Sequence, residues 1–246
     1  MRSLSSCERK RILPTEFLTA IVHELKTPLS AIISFSEFLK DNLKNPRSAE
    51  ECADYAKEIN TAATEMDELV HDILDVEAAS LSGNFSVDLS KEIDLGNVIK
   101  RSVKLNHDYS LKRNISLKTE IAINLRSIKL DSKRMKQILT NLISNAVKYS
   151  PKQSEIKITA RNSFENNQEF LEICVIDQGF GMTNSQIQTA FQKYQTIQNP
   201  NSGSVDSFGL GLPITKQLVE LQSGKLEVKS QVGQGTEIKL KFPYLM

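Results

Sequence analysis

Position 23 is a histidine. It opens the stretch HELKTPLSAI, with Glu24 directly after it and Thr27 one helical turn on. A free imidazole has a pKa of about 6.5, so at neutral pH it is mostly deprotonated and available as a nucleophile or base. Far downstream, SKRMKQILTNLISNAVKYSP places Asn141, Asn145 and Lys148 at i, i+4 and i+7. Asparagine is a poor helix former, so two of them one turn apart call for a reason. One reason is a solvated stripe, or a pair that bonds the backbone. The other is amide oxygens ligating a hard cation beside phosphates, with Lys148 supplying charge. A third group is VIDQGFGM, a buried-strand pattern that ends in Asp177 and is followed by Gly179 and Gly181. SFGLGLPITKQL then leads through Gly209 and Gly211 into an amphipathic helix. Glycines let a backbone approach a ligand, and a helix N-terminus attracts phosphate. The order matches neither GxxxxGK[ST] nor the dinucleotide fingerprint.

These groups need elements to hold them. From Thr15 to about Leu43, apolar residues including Leu18, Ile21, Leu25, Leu29, Ile32 and Leu39 keep helical spacing. Asn45-Pro46 breaks the run, and a second one from about Arg47 to Ser80 carries Ala56, Ile59, Ala63, Met66, Val70 and Ile73. Two long helices joined by a short turn predict an antiparallel hairpin. One hairpin cannot enclose its own stripe, so dimerisation into a four-helix bundle is expected. Residue 23 lies roughly 200° round the helix from Ile21 and from Leu25, away from that stripe, and Thr27 shares its face. Glu24 diverges from it by about 100°.

Composition changes at LSGNFSVDLS (81–90), which sets the expected division: 1–12 an extension or linker, 13–82 the helical domain, 83–246 a second domain. In the second, Phe85 to Ile93 reads as extended and Asp94 to about Tyr109 as helical. ISLKTEI (115–121) and SIKL (127–130) alternate at period two. A helix starts at Asp131 or Ser132, either a good N-cap, and buries Met135, Ile138, Leu139, Leu142, Ile143, Ala146 and Val147. Strands follow at 155–161 and 169–177 around a polar FENNQ hairpin, then a Gln/Asn/Ser-rich stretch and a helix over about 210–222 stopped by Gly224. LEVKS and TEIKLKF close the chain as a hairpin. The fold class is therefore a helical hairpin followed by an α+β domain, one mostly antiparallel sheet covered by helices.

The 246 residues carry a formal charge of +1, which argues against nucleic acid or an anionic membrane as main partner. No apolar run is long enough for a membrane-spanning helix, and the first residues lack a signal-peptide core. Three scattered cysteines, Cys7, Cys52 and Cys174, fit unpaired thiols in a reducing cytoplasm. His71 and His107 have no ligand partner at useful spacing and read as surface or packing residues.

Taken together, these motifs resemble the ATP-binding domain shared by sensor histidine kinases, gyrase-type ATPases, Hsp90 and MutL. TNLISNAVKYSP is similar to its N box, DQGFGM to its first glycine box and FGLGLPITK to its second, with FQKY (191–194) at the kinases' F box. HELKTPLSAI resembles the histidine kinases' H box, on the expected hairpin. The resemblance runs from about Thr15 to Phe242. FSEFL and GLGLP further resemble PleC-like cell-cycle kinases. A Bergerat-type (GHKL) sandwich is then implied for 83–246.

The resemblance implies roles position by position. His23 would accept the phosphoryl group, Glu24 would be its acid–base partner, and Thr27 would orient water in the reverse, phosphatase reaction. Asn145 would ligate Mg²⁺, with Asn141 beside the phosphates. Lys148 would contact phosphate and Tyr149 would lie against the nucleotide. Asp177 would accept a hydrogen bond from the adenine amino group, Gly179 and Gly181 would open the base pocket, and Gly209 and Gly211 would let the lid close. The implied cofactors are ATP and Mg²⁺. The implied partners are a second copy of the chain and the receiver domain of a response regulator, whose aspartate takes the phosphoryl group next. Asn141 stands where ATP-hydrolysing relatives carry a glutamate, which favours a kinase over a GHKL-fold ATPase. A kinase-deficient phosphatase or phosphotransfer scaffold is the other alternative. Departures fall in the lid. Thr196 replaces the F-box arginine, no arginine follows Arg161, and Ser207-Phe208 stand where a glycine is usual. They imply either free variation of the lid or a slow, phosphatase-biased enzyme.

Overall fold

The computed structural model describes residues 15–42, 48–81, 87–193, 195–197 and 209–244. The chain divides into two compact units, Met1–His71 and Asp72–Met246, with the division inside a helix.

In the first unit, α1 (Thr15–Asn42) and α2 (Ala49–Leu81) match the two expected helices. Ser48 accepts from the Glu51 backbone N–H at 3.2 Å, and Glu50 and Glu51 place acid at the N-terminal end of the α2 dipole. The Tyr55 ring, near the start of α2, lies 5.8 Å from Phe35 and 5.6 Å from Phe38, near the end of α1. That cluster makes the pair an antiparallel hairpin. Pro28 does not interrupt α1, and its ring is buried, as is Ala62 on α2. Several members of the expected apolar stripe stay open to solvent: Leu29 is 43% exposed and Val70 37%, and Ala56 and Ala63 are exposed too. Val22 and Ile33 are exposed as well. Leu18, Ile21, Leu43 and Ile73 fall outside the described side chains.

The second unit continues with α3 (Leu95–Leu105), α4 (His107–Lys112), β1 (Ser116–Ile121), α5 (Ser132–Tyr149), β2 (Glu155–Glu165) and β3 (Gln168–Ile176). It ends with α6 (Asn184–Ala190), α7 (Gly211–Leu221), β4 (Lys225–Gln231) and β5 (Gly235–Pro243). The five strands form one sheet in the order β1-β2-β3-β5-β4. β1 runs parallel to β2 and every other pairing is antiparallel. Asn166 and Asn167 turn the β2–β3 hairpin with φ of 51° and 63°, a conformation asparagine tolerates.

The helix α5 lies between α3 and α7 and packs on β2 and β3. All seven apolar positions read from its periodicity are buried. Against them lie Ile156, Ile158, Leu171 and Ile173 from the sheet and Leu218 and Val219 from α7. The sheet's other face is closed by ion pairs. Glu172 is buried there between Arg161 at 2.6 Å and Lys239 at 3.4 Å. Burial pushes its carboxyl up, but the two cations outweigh that and hold it below the usual glutamate range.

Several expectations change. The predicted helix over 94–109 breaks at Asn106, whose buried amide donates to the Ser102 carbonyl at 2.9 Å and ends α3. The extended stretch expected over 85–93 falls partly on residues 82–86, outside those described. Among the described residues its remainder forms a single bridge, Glu92 to Lys129, which is also the only pairing there of SIKL. Asp88 accepts from the Ser90 backbone N–H at 3.0 Å, and this local turn displaces a strand. α6 appears inside the Gln/Asn/Ser-rich stretch. Ser223, with φ of 58°, takes the left-handed position after α7 that was expected of Gly224. Gly224 is needed instead for clearance: a Cβ there would stand 2.6 Å from the Phe242 ring.

Candidate active site

α5 is fixed at its start by Asp131, which accepts from the Arg134 N–H at 3.0 Å. Its buried face is pinned between sheet and helices, so the orientation of the polar stripe follows from the packing. Asn141, Asn145, Lys148 and Tyr149 are all half-buried along that edge. The Asn141 amide nitrogen donates to Thr215 Oγ1 on α7 at 2.7 Å, and Asn145 Nδ2 reaches Asn141 Oδ1 at 3.4 Å. Gly211, the first residue of α7, presses on the same side chain. A Cβ there would collide with Asn141 Oδ1 and sit 2.9 Å from its Nδ2. The N-cap of α7 is Leu210, which makes no side-chain cap, so among the described residues the first-turn N–H groups lie beside the asparagine pair without a side-chain acceptor.

The Asp177 carboxylate sits at the end of β3. Its Oδ1 accepts from the Gly179 N–H at 2.7 Å and from the Thr236 N–H at 3.1 Å. Burial pushes its pKa up from 3.8 to about 6, against the pull of those two bonds. Gly179 is held between Asp177 and α5: a Cβ would stand 2.8 Å from Asp177 Oδ1 and 2.8 Å from the Tyr149 carbonyl. Gly181 has φ of 66° and lies against the Gln231 backbone, where no side chain fits. Tyr149 meets Phe180 edge-on at 5.6 Å, and the Lys148 ammonium stands 5.9 Å over the Tyr149 ring. Asp177, the first glycine box and the end of α5 therefore form one wall, with the asparagine pair and α7 further along the same helix.

Four contributors were not singled out in the sequence. The β4–β5 hairpin supplies Thr236, as well as Ser230, which accepts from the Met182 N–H at 2.8 Å, and Gly235, whose φ of 95° lets the chain lie against Asp177. α7 supplies Thr215. Their partners lie tens of residues away, so no local pattern marks them. The capping box Thr183–Gln186, which starts α6 behind the glycine box, was legible as a T-x-x-Q signal.

His23 and Glu24 lie on α1, their side chains outside the described residues, and Thr27 is exposed on the same helix. In the F-box region, Phe191 packs beneath the Lys216 ammonium at 6.0 Å, while Lys193 and Thr196 are exposed. Gly209 lies against the Gln195 backbone. Tyr194, Ser207 and Phe208 are outside the described residues.

Residues 15–80 match the model of the His Kinase A (phospho-acceptor) domain, and residues 130–246 that of the histidine kinase-, DNA gyrase B-, and HSP90-like ATPase. The cell-division control histidine kinase PdhS of Brucella suis is 31% identical over 96% of the chain. The chain belongs to the sensor histidine kinases. It spans 23% of the length of that relative. Among solved structures, full-length ShkA in complex with AMPPNP aligns with this kinase chain at a TM-score of 0.63 and 22% identity, over 96% of this chain and 47% of ShkA. The histidine kinase ThkA in complex with the response regulator TrrA aligns at 0.59 and 21%, over 94% of this chain and 62% of that one. At those identities the likeness establishes the fold: a helical hairpin and a GHKL-type α/β domain. Among the described residues, no helix is long and apolar enough to cross a membrane.

Proposed function

We propose that this kinase binds Mg·ATP along α5, transfers the γ-phosphoryl group to His23, and passes it to an aspartate of a response regulator. The observation that carries the proposal is the asparagine pair wedged against the start of α7, with the Asp177 carboxylate further along the same wall. The helix end offers N–H donors for phosphate and the pair offers a hard oxygen for a cation beside it, and Asp177 offers an acceptor for an adenine amino group.

The donor set fits Mg²⁺. Asn145 offers a hard amide oxygen, and among the described residues no cluster of three His, Cys, Asp or Glu offers a complete protein cage. Mg²⁺ characteristically takes one or two protein ligands and completes its shell with substrate phosphates and water. Bound there, it would neutralise phosphate charge. Lys148 would add charge to the same end, Tyr149 would flank the base, and Gly209 and Gly211 would let the lid approach. At the acceptor, a neutral imidazole nitrogen of His23 attacks the γ-phosphorus and forms an N–P bond. The P–O bond to the β-phosphate breaks, ADP leaves, and the imidazole proton passes to Glu24. Thr27 serves the reverse direction by orienting water on the phosphorylated regulator.

The end of α2 at Leu81 and the matched phospho-acceptor range support a domain boundary near residue 82, with 13–82 as the dimerisation and phosphotransfer domain and 83–246 as the catalytic one. The exposed Val22, Leu29, Ile33 and Val70 support a homodimer closed by a second hairpin. ThkA's complex with a regulator supports the receiver partner, and the name of PdhS supports a cell-division setting. Asn141 speaks against hydrolysis, because it offers no carboxylate to activate water. Thr196 is exposed where many kinases carry an arginine, so neutralising the transferred phosphoryl group falls to Lys148, Lys193 or Mg²⁺.

Incubation with ATP labelled on the γ-phosphate tests the proposal. Acid-labile, base-stable label on the chain, lost in Asn145→Ala, is expected. Steady phosphate release without labelled protein would make it an ATPase, and bound nucleotide with neither outcome would make it a scaffold.

A further inference from the structure

Thr215 is 1% exposed on α7, in a turn whose neighbours Ile214, Leu218 and Val219 are buried apolar residues. A hydroxyl there costs desolvation unless it is hydrogen-bonded. Its partner is Asn141 Nδ2 at 2.7 Å, on a helix 74 residues earlier in the chain. Gly211 and Thr215 lie one turn apart on α7, and between them they fix one side chain: Gly211 by close approach, Thr215 by the bond. With its nitrogen on Thr215, Asn141 turns Oδ1 toward Asn145, which answers with Nδ2 at 3.4 Å. An amide that points its nitrogen inward points its oxygen the other way. The order Thr215–Asn141–Asn145 therefore presents the carbonyl end of Asn145 rather than its NH₂ end, and only the carbonyl end can ligate a cation.

We infer that Thr215 is a positioning residue for the metal: as the acceptor that ends this amide relay, it sets the orientation in which Asn145 offers oxygen to Mg²⁺. The inference rests on the proposed Mg·nucleotide site. It also ties α7, whose first residue is the second glycine of the second glycine box, to the metal ligand on α5, so that the helix beside the lid and the cation site report on one another.

Valine matches threonine in shape and removes the acceptor, whereas serine keeps it. ADP binding to the full 246-residue chain, Thr215→Val and Thr215→Ser is measured by calorimetry with MgCl₂ and again in EDTA, with thermal unfolding as a check on folding. Thr215→Val should weaken ADP binding by about tenfold with Mg²⁺, the factor expected for one hydrogen bond, and by less than about twofold in EDTA. Thr215→Ser should stay within about twofold of the parent in both. Equal loss with and without Mg²⁺, no loss, or a serine variant as weak as valine would overturn the role of Thr215. If the parent chain binds ADP equally well in MgCl₂ and EDTA, the metal reading itself fails and takes this inference with it.

Discussion

Acidification from pH 8 to pH 5 should act in opposite directions on nucleotide binding and on the stability of the empty ATP-binding unit, and Asp177 is the reason. Its folded pKa is about 6, against an ordinary value of 3.8, because burial disfavours the carboxylate more than two backbone N–H bonds favour it. The folded value is raised, so the group's contribution to stability is fully present below about pH 4 and is lost as pH rises through 6. Two pKa units correspond to a stability difference on the order of 3 kcal/mol. The proposed adenine contact needs the charged, accepting form. At pH 5 only about a tenth of the sites carry it, so affinity for the base should fall by about tenfold.

Adenosine, titrated by NMR, has no phosphate to ionise in this window and isolates the effect. Asp177→Asn removes the titration while keeping an oxygen for the Gly179 and Thr236 N–H groups. That variant should bind adenosine poorly at every pH, yet unfold in urea at a higher midpoint than the parent at pH 7.5. This is the signature of a group kept for function at a cost in stability. Adenosine affinity that stays flat from pH 5 to 8, together with an Asp177→Asn variant less stable than the parent at pH 7.5, would refute the reasoning.

Two further outcomes follow from the packing. Leu142 is 1% exposed beneath the asparagine stripe, so Leu142→Ala should cost about 2–5 kcal/mol in urea unfolding, and a loss under 1 kcal/mol would mean that α5 is not pinned as described. Pro28 removes the donor to the Glu24 carbonyl, one residue past His23, so Pro28→Ala should stiffen α1 and shift the ratio of autophosphorylation to regulator dephosphorylation. Unchanged rates in both directions would rule out a hinge there while leaving the kinase intact.

The parts of the fold legible in the sequence are those where one chemistry repeats at one period. The seven apolar positions of α5, the two long helices and the glycine-bearing turns all carry their signal within a dozen residues. Asn106 was not legible as a helix break, because the competition between its amide and the backbone depends on its burial. Ser223 took the left-handed position after α7, and Gly224 is needed instead for clearance from the ring of Phe242, a contact formed only once β5 folds back. The site divides in the same way. Asp177 and the glycines announce themselves by spacing. Thr236 and Thr215 carry no local mark, since each matters through one partner: Thr236 holds a carboxylate 59 residues before it, and Thr215 an amide 74 residues before it.

The central claim is that His23 receives the γ-phosphoryl group of ATP. Mass spectrometry of the chain after incubation with Mg·ATP, under neutral-to-basic handling that preserves phosphoramidates, tests it most directly. The account predicts a single added phosphoryl group on the peptide containing His23, lost on mild acid treatment and absent from His23→Gln. Phosphorylation on a serine, threonine or aspartate instead, or a His23→Gln chain labelled as strongly as the parent, would contradict it.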